Sequence, residues 1–278
     1  MAREYEWKNH VETHTGTPLR AHQLTDSTLN WTELLKHPGQ DHLVEVYQDP
    51  AFLAETVTHY LAAGLHLGEG AIVIARAENR QRFSRALEEV HGLPAASVCM
   101  LDADETLASF MVAGIPEWIA FQRVCGGAIA KLRLRYPAVR AYGEMVDILW
   151  QRGERHAAIR LEEFWNELGR LQTFSLFCAY ALDPLQPDSY GGALESVCRC
   201  HTHLIPARDY TRFNQAVMDA AKSVLDQPLA QMLLSLAANH RPHTEMPLGQ
   251  AALIWLKQNM PRTADRVLDD VRARLATN

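Results

Sequence analysis

A chain of 278 residues has room for one large α/β domain and a smaller appendage. Its apolar fraction of 47% and charged fraction of 22% are ordinary for a globular protein, and a net charge of -6 offers no broad cationic face to nucleic acid. No apolar run is long enough to span a bilayer, and the opening MAREYEWKNH is too polar for a secretory signal. Five cysteines form an odd set without framework spacing, which leads to the expectation of reduced thiols in a cytoplasmic protein.

Residues 1–40 are polar and rich in histidine, with turn residues at Gly16, Pro18, Pro38 and Gly39. Within them TDSTLNWTELLKH predicts one short helix, capped by Asp26 or Ser27 and burying Leu29, Leu34 and Leu35. The remainder reads as an extension. Residues 41–75 then read as strand, tight turn, helix, turn, strand. Positions 43–47 alternate apolar and polar residues. Asp49-Pro50 is a strong helix opening, because an Asp side chain accepts first-turn N–H groups and Pro at the next position loses no donor. Phe52, Val57, Tyr60, Leu61 and Gly64 share one face at helical spacing. After a glycine-punctuated stretch, 71–75 is the apolar run of a buried parallel strand.

Such a βαβ unit carries a phosphate loop in nucleotide-binding folds. Here the loop at 48–51 is Gln-Asp-Pro-Ala, with no glycine, lysine, serine or threonine. Asp49 is expected to take the helix-terminal donors itself, so a phosphate would meet a carboxylate where a P-loop offers a lysine. That chemistry argues against an ordinary NTPase.

Further along, 78–91 predicts a charged helix ended by Gly92 and Pro94, and 98–101 a third strand followed at once by Asp102, Asp104 and Glu105. A helix is predicted over 106–112, ending at Gly114. A longer one over 116–134 has Trp118, Phe121, Val124, Ile129 and Leu132 inward. Strands follow at 138–143 and 174–180, with a helix over 156–170 between them. Strands separated by helices in this rhythm predict an α/β fold: a mostly parallel sheet of about five or more strands, covered by helices on both faces. Beyond Asp183 no strand signal appears. A helix over 193–203, an interrupted one over 210–238, and a pair over 248–259 and 263–275 make a C-terminal helical module.

Ligands of parallel sheets bind at the carboxyl ends of the strands. The candidates there are Tyr47, Asp49, Phe52, Glu78, Asp102, Glu144, Met145 and Trp150. Tyr47 and Phe52 would wall a pocket in which Asp49 orients a small ligand; the plainer alternative is a helix cap beside core rings. Glu144 is either a functional carboxylate or a buried acid satisfied by N–H groups. Trp150 either lines the same cleft or packs. Asp102, Asp104 and Glu105 suit helix caps equally well. In VCRCHTH, a helix would put Cys198 and His201 on one face and Cys200 and His203 on another, about 200° away. One ion cannot collect all four, so no metal is expected and only Cys198 with His201 is a candidate pair. Cys125 and Cys178 lie in apolar surroundings and read as inert thiols.

Five ordered segments, HLVEVYQDPAFLAETVTHYLAAGLHLGEGAIVIA, DADETLASFMV, RAYGEMVDILW, AAIRLEEFWNEL and FSLFCAY, resemble the MEDS domain. This sensory domain, named from methanogens and methylotrophs, occurs in the dichloromethane-response regulator DcmR and at the front of many bacterial histidine kinases. The resemblance implies a degenerate RecA/KaiC-like fold without a Walker A loop. It also implies a non-enzymatic role in sensing a small organic ligand for transcriptional or phosphorelay control. It divides the chain into an N-terminal extension (1–40), a MEDS-like domain (41–212) and a helical module (213–278). The implied partners are a small-molecule ligand and a signalling protein such as a kinase or regulator, and a homo-oligomer is compatible with it. No cofactor, nucleic acid or membrane is expected. Neither a kinase region nor a helix-turn-helix follows the sensor. Two other readings stand beside this one: a residual nucleotide-binding protein or ATPase, and a structural adaptor whose cleft is filled by its own side chains.

Overall fold

Alternation along the strands sorts their side chains onto two faces, and the helices follow. The computed structural model describes residues 31–90, 98–190, 192–206, 209–239 and 244–276. In chain order these form α1 (Trp31–Lys36), β1 (His42–Tyr47), α2 (Pro50–His66), β2 (Gly70–Ala75), α3 (Ala77–Glu88), β3 (Val98–Asp102) and α4 (Ala103–Ala108). A hairpin of β4 (Met111–Val112) and β5 (Ile115–Pro116) precedes α5 (Trp118–Phe121), a π-helical turn (Gln122–Gly126) and α6 (Gly127–Arg133). Next come β6 (Val139–Gly143), α7 (Met145–Gln151), α8 (Arg155–Leu171), β7 (Ser175–Ala181), a 3-10 turn (Pro187–Tyr190), α9 (Ala193–Cys198) and β8 (His203–Ile205). The chain closes with α10 (Tyr210–Leu225), α11 (Gln227–Asn239), α12 (Leu248–Asn259) and α13 (Pro261–Ala276).

Six strands form a wholly parallel sheet in the order β3-β2-β6-β7-β1-β8. Leu43, Ala71, Val73, Ala75, Tyr142, Phe177, Ala179 and Ile205 bury against α1, α2 and α3. Val44, Val46, Ile72, Ile74, Ala141, Leu176, Tyr180 and Leu204 belong to the core of the opposite face. That second core continues without a break into the last four helices through Phe213, Val217, Leu233, Leu253, Val267 and Leu268. Burying both faces of a parallel sheet is what its nearly unbroken apolar strands require.

All five predicted strands are present, and two expectations need correction. The helix predicted over 106–112 stops at Ala108, and a two-residue loop then turns the chain back into β5. Ala113 and Gly114 both have positive φ, 51° and 81°, as a hairpin turn of this length demands. The helix predicted over 193–203 ends at Cys198, because residues 203–205 pair with β1 as a sixth strand. The start of the short N-terminal helix, with Asp26, Ser27 and Leu29, and the end of α3 at Gly92 and Pro94 lie outside the described residues. Of that first helix, Leu35 is buried and Leu34 packs on the α2 side of the sheet. Among the described residues no helix is long and apolar enough to cross a membrane.

Candidate functional site

β1 ends beside α2, and the turn between them is closed by its own cap. The Asp49 carboxylate accepts the Ala51 N–H at 2.8 Å, and Pro50 opens the helix. Beside this turn lies a cavity of about 250 Å³. Val46, Tyr47, Gln48, Asp49 and Phe52 line it on the sheet side. Pro184 and Leu185 from the loop after β7, and Asp209, Arg212, Phe213 and Leu275 from the C-terminal helices, line the other. Arg212 is held in place by donating to the Leu275 carbonyl at 2.6 Å. Most of the wall is apolar or aromatic, with Asp49, Asp209 and Arg212 as its charged points, the usual make-up of a small-molecule site.

Next to the cavity, the carboxyl ends of β2, β6 and β7 share a polar network. The Glu144 carboxylate accepts the Arg76 N–H at 3.0 Å, Asn79 Nδ2 at 2.7 Å and the Tyr142 hydroxyl at 3.2 Å. Asp147 accepts Arg76 Nη1 at 2.8 Å, the Ala181 N–H at 3.0 Å and Gln151 Nε2 at 3.0 Å. Burial raises the Glu144 pKa, and the Arg76 N–H and Asn79 bonds pull against it. Tyr47 stands between network and cavity; burial, helped by the charges of Asp147 and Glu144, pushes its hydroxyl up to about 12. The tyrosine is therefore a neutral donor at physiological pH.

The eight predicted site residues separate into groups. Tyr47, Asp49 and Phe52 come together at the cavity. Glu144 is buried and fully engaged in the network. Asp102 caps α4 through the Glu105 N–H at 3.0 Å and pairs with Arg80 at 2.6 Å. Glu78 is exposed and lies 3.8 Å from Arg82. Met145 is wholly within the core. Trp150 packs edge-on to Tyr180 and carries Arg155 over its ring, facing a separate open groove with His156, Ile159 and Glu163. Sequence reasoning missed Arg212, Phe213 and Leu275, which reach the cavity from more than 150 residues away along the chain, and Asp147, whose carboxylate ties β2 to β7.

The VCRCHTH segment does not act as one helical face. Its helix ends at Cys198, so the predicted Cys198 and His201 pair is separated. Cys198 is buried beside Tyr190, whereas His201 turns toward the sheet against His42 and Glu162. Burial, with the nearby His201, lowers the His42 pKa; Glu162 is lowered despite its burial, by His201, His42 and the Tyr180 hydroxyl.

Residues 41–202 match the family model described as "MEDS: MEthanogen/methylotroph, DcmR Sensory domain". No curated protein and no solved structure matches the chain. The match ends just before β8, so Tyr47, Asp49 and Phe52 fall inside it and Arg212, Phe213 and Leu275 fall beyond it.

Proposed function

The chain belongs to the MEDS family of sensory domains, and from that premise we propose that it is a non-enzymatic sensor. A small organic molecule enters the cavity at the end of β1, and the outcome passes to a signalling partner through α10 and α13. The observation that carries this reading is the make-up of the cavity wall. Tyr47 and Phe52 belong to the sensory domain, while Arg212, Phe213 and Leu275 belong to the helices that follow it. A ligand there touches both, so its binding energy depends on how the two are arranged, which is the thermodynamic requirement for switching.

The cavity size supports a small ligand, since about 250 Å³ falls just under the ~300–1,000 Å³ of drug-sized sites. Its open volume speaks against an adaptor with a filled cleft. The parallel strand order supports a RecA/KaiC-type scaffold, and the Asp49 cap at 48–51 supports loss of its phosphate loop, which disfavours a surviving ATPase.

The test is native mass spectrometry of the full chain, together with ligand-observed NMR on a panel of small alcohols, amines, carboxylates and haloalkanes. Binding is expected in the natural chain and lost in Phe52→Trp, which fills the cavity. Steady Mg-ATP hydrolysis by pure protein, or equal binding by Phe52→Trp, would overturn the proposal.

A further inference from the structure

Four side chains from four separate parts of the fold converge in the core beneath α8. His42 opens β1, Cys178 lies on the neighbouring β7, Glu162 projects from α8, and His201 comes from the turn between α9 and β8. All four are buried, and their ligand atoms lie within 4.8 Å of one another. His42 Nε2 is 3.3 Å from Cys178 Sγ and 3.4 Å from Glu162 Oε2. His201 Nε2 is 3.3 Å from Glu162 Oε1, and Cys178 Sγ is 3.7 Å from Glu162 Oε2. A tetrahedral zinc ion, with bonds of ~2.0–2.3 Å, holds its ligand atoms roughly 3.3–3.7 Å apart. The triangle of His42 Nε2, Cys178 Sγ and Glu162 Oε2 has that spacing, and His201 Nε2 approaches the other Glu162 oxygen with all four ligand atoms inside 4.8 Å.

Proton positions make the case sharper. His201 Nδ1 faces the Val197 carbonyl at 2.7 Å, and a carbonyl only accepts, so Nδ1 carries the hydrogen. Asn166 Nδ2 donates to the Cys200 carbonyl at 2.9 Å, which fixes the amide and presents its oxygen to His42 Nδ1 at 2.9 Å. His42 Nδ1 is therefore also a donor. With Nδ1 engaged in each ring, both Nε2 atoms are turned toward the oxygens of Glu162. The Tyr180 hydroxyl is already given to Glu162 Oε1 at 2.6 Å, and His201 Nε2 has no hydrogen-bond partner among the described residues. A second set of hydrogen bonds that fixes the ring tautomer and leaves Nε2 free is the arrangement seen around ligating histidines.

We propose that His42, Glu162, Cys178 and His201 bind one divalent ion of the zinc class in the core of this protein. Two imidazoles, a thiolate and a carboxylate suit zinc and its borderline-soft neighbours, whereas magnesium and calcium prefer oxygen alone. As the metal–sulfur bond forms, the Cys178 proton leaves to solvent, and thiolate plus carboxylate neutralise the 2+ charge. Four protein ligands close the site, so its role is to fasten β1, β7, α8 and the β8 turn together. The inference is independent of the cavity reading.

Cobalt(II) added to the metal-free, reduced full chain tests it. One equivalent should give the visible ligand-field bands of tetrahedral cobalt and a thiolate-to-cobalt charge-transfer band. Cys178→Ser should lose the charge-transfer band while Cys200→Ser keeps it, and Asn166→Leu, which unlocks His42, should weaken binding ~10–100-fold. If the Cys178 variant fails to fold, the natural chain still decides, because zinc must then raise its melting temperature as well as displace cobalt. Folded natural chain that binds no stoichiometric metal overturns the proposal. So does a thiolate band that survives Cys178→Ser, or tight binding with no thiolate band, which would mark surface histidines.

Discussion

Replacing Arg140 by Met keeps the side chain's bulk and removes its donors. Arg140 is 1% exposed, yet its guanidinium makes four bonds of 2.6 Å. Nε donates to Glu69, Nη1 to the carbonyls of Leu35 and Tyr60, and Nη2 to the carbonyl of Lys36, while the group also lies 5.1 Å from the Tyr60 ring centre. One residue of β6 thus clamps the end of α1 and the middle of α2. Removing one partner of a buried charged set costs ~3–5 kcal/mol, because the groups left behind have lost their water as well as their partner. Glu69 is 20% exposed and recovers some solvent, so the lower end of that range, ~3 kcal/mol, is expected. Against a total stability of ~5–15 kcal/mol this is a large share. In urea, with a slope near ~3 kcal/mol per molar for a chain of this size, the midpoint should fall by ~1 M. A loss below ~1 kcal/mol for Arg140→Met would refute the clamp.

Gly64→Ala should also destabilise, by ~1–3 kcal/mol, because its new methyl would lie 2.2 Å from Arg140 Nε and 2.7 Å from Glu69 Oε2. Combined with Arg140→Met it should cost less than the sum of the two, and strict additivity in a denaturation cycle would rule out the clash. Glu45 is fully buried, and burial raises its pKa from 4.5 to about 8 against a smaller opposing pull from Thr56. Between those values the unfolded chain releases a proton that the folded chain keeps, so stability falls as pH rises through that window, by up to ~1.4 kcal/mol per unit. Glu45→Gln should flatten this limb in melts across pH, and an unchanged limb would show that Glu45 is ionised in the fold. Asp49→Ala should cost ~1 kcal/mol through loss of its cap without conferring Mg-ATP hydrolysis; turnover appearing in that variant would mean the scaffold retains a working phosphate site.

The sheet was legible because its strands are short apolar runs, 71–75 continuously so; 43–47 alternates as a strand covered on one face does, yet β1 is buried on both. β8 carries no such pattern. His203-Leu204-Ile205 is three residues long and becomes a strand only because β1 offers it an edge. The β4–β5 hairpin was hidden for a related reason, since Ala113 gives no warning of a positive φ and only Gly114 marks the turn. At the site, Tyr47, Asp49 and Phe52 were readable from the strand–turn–helix signal around them. Arg212, Phe213 and Leu275 were not, because their place in the wall depends on how α10 and α13 dock. The buried quartet was the least legible of all. His42 and His201 lie 159 positions apart, and only the pairing of β1 with both β7 and β8 brings them to one point.

β1 links the cavity and the buried quartet. Its first residue, His42, enters the buried quartet, and its last, Tyr47, enters the cavity wall. A strand hydrogen-bonded on both sides cannot shift at one end without straining its ladder. The cavity's other wall is helical, where Arg212 and Phe213 of α10 and Leu275 of α13 meet the sheet edge. On the sensor proposal, a ligand would act by favouring one docking of those helices over another, and the affinity difference between the dockings would limit the size of the switch. A metal bound there, in the quartet, as proposed, would fasten the β8 turn, from which the chain runs on into α10. Metal loading and ligand response should thus be separable, with the first setting stability and the second setting helix position.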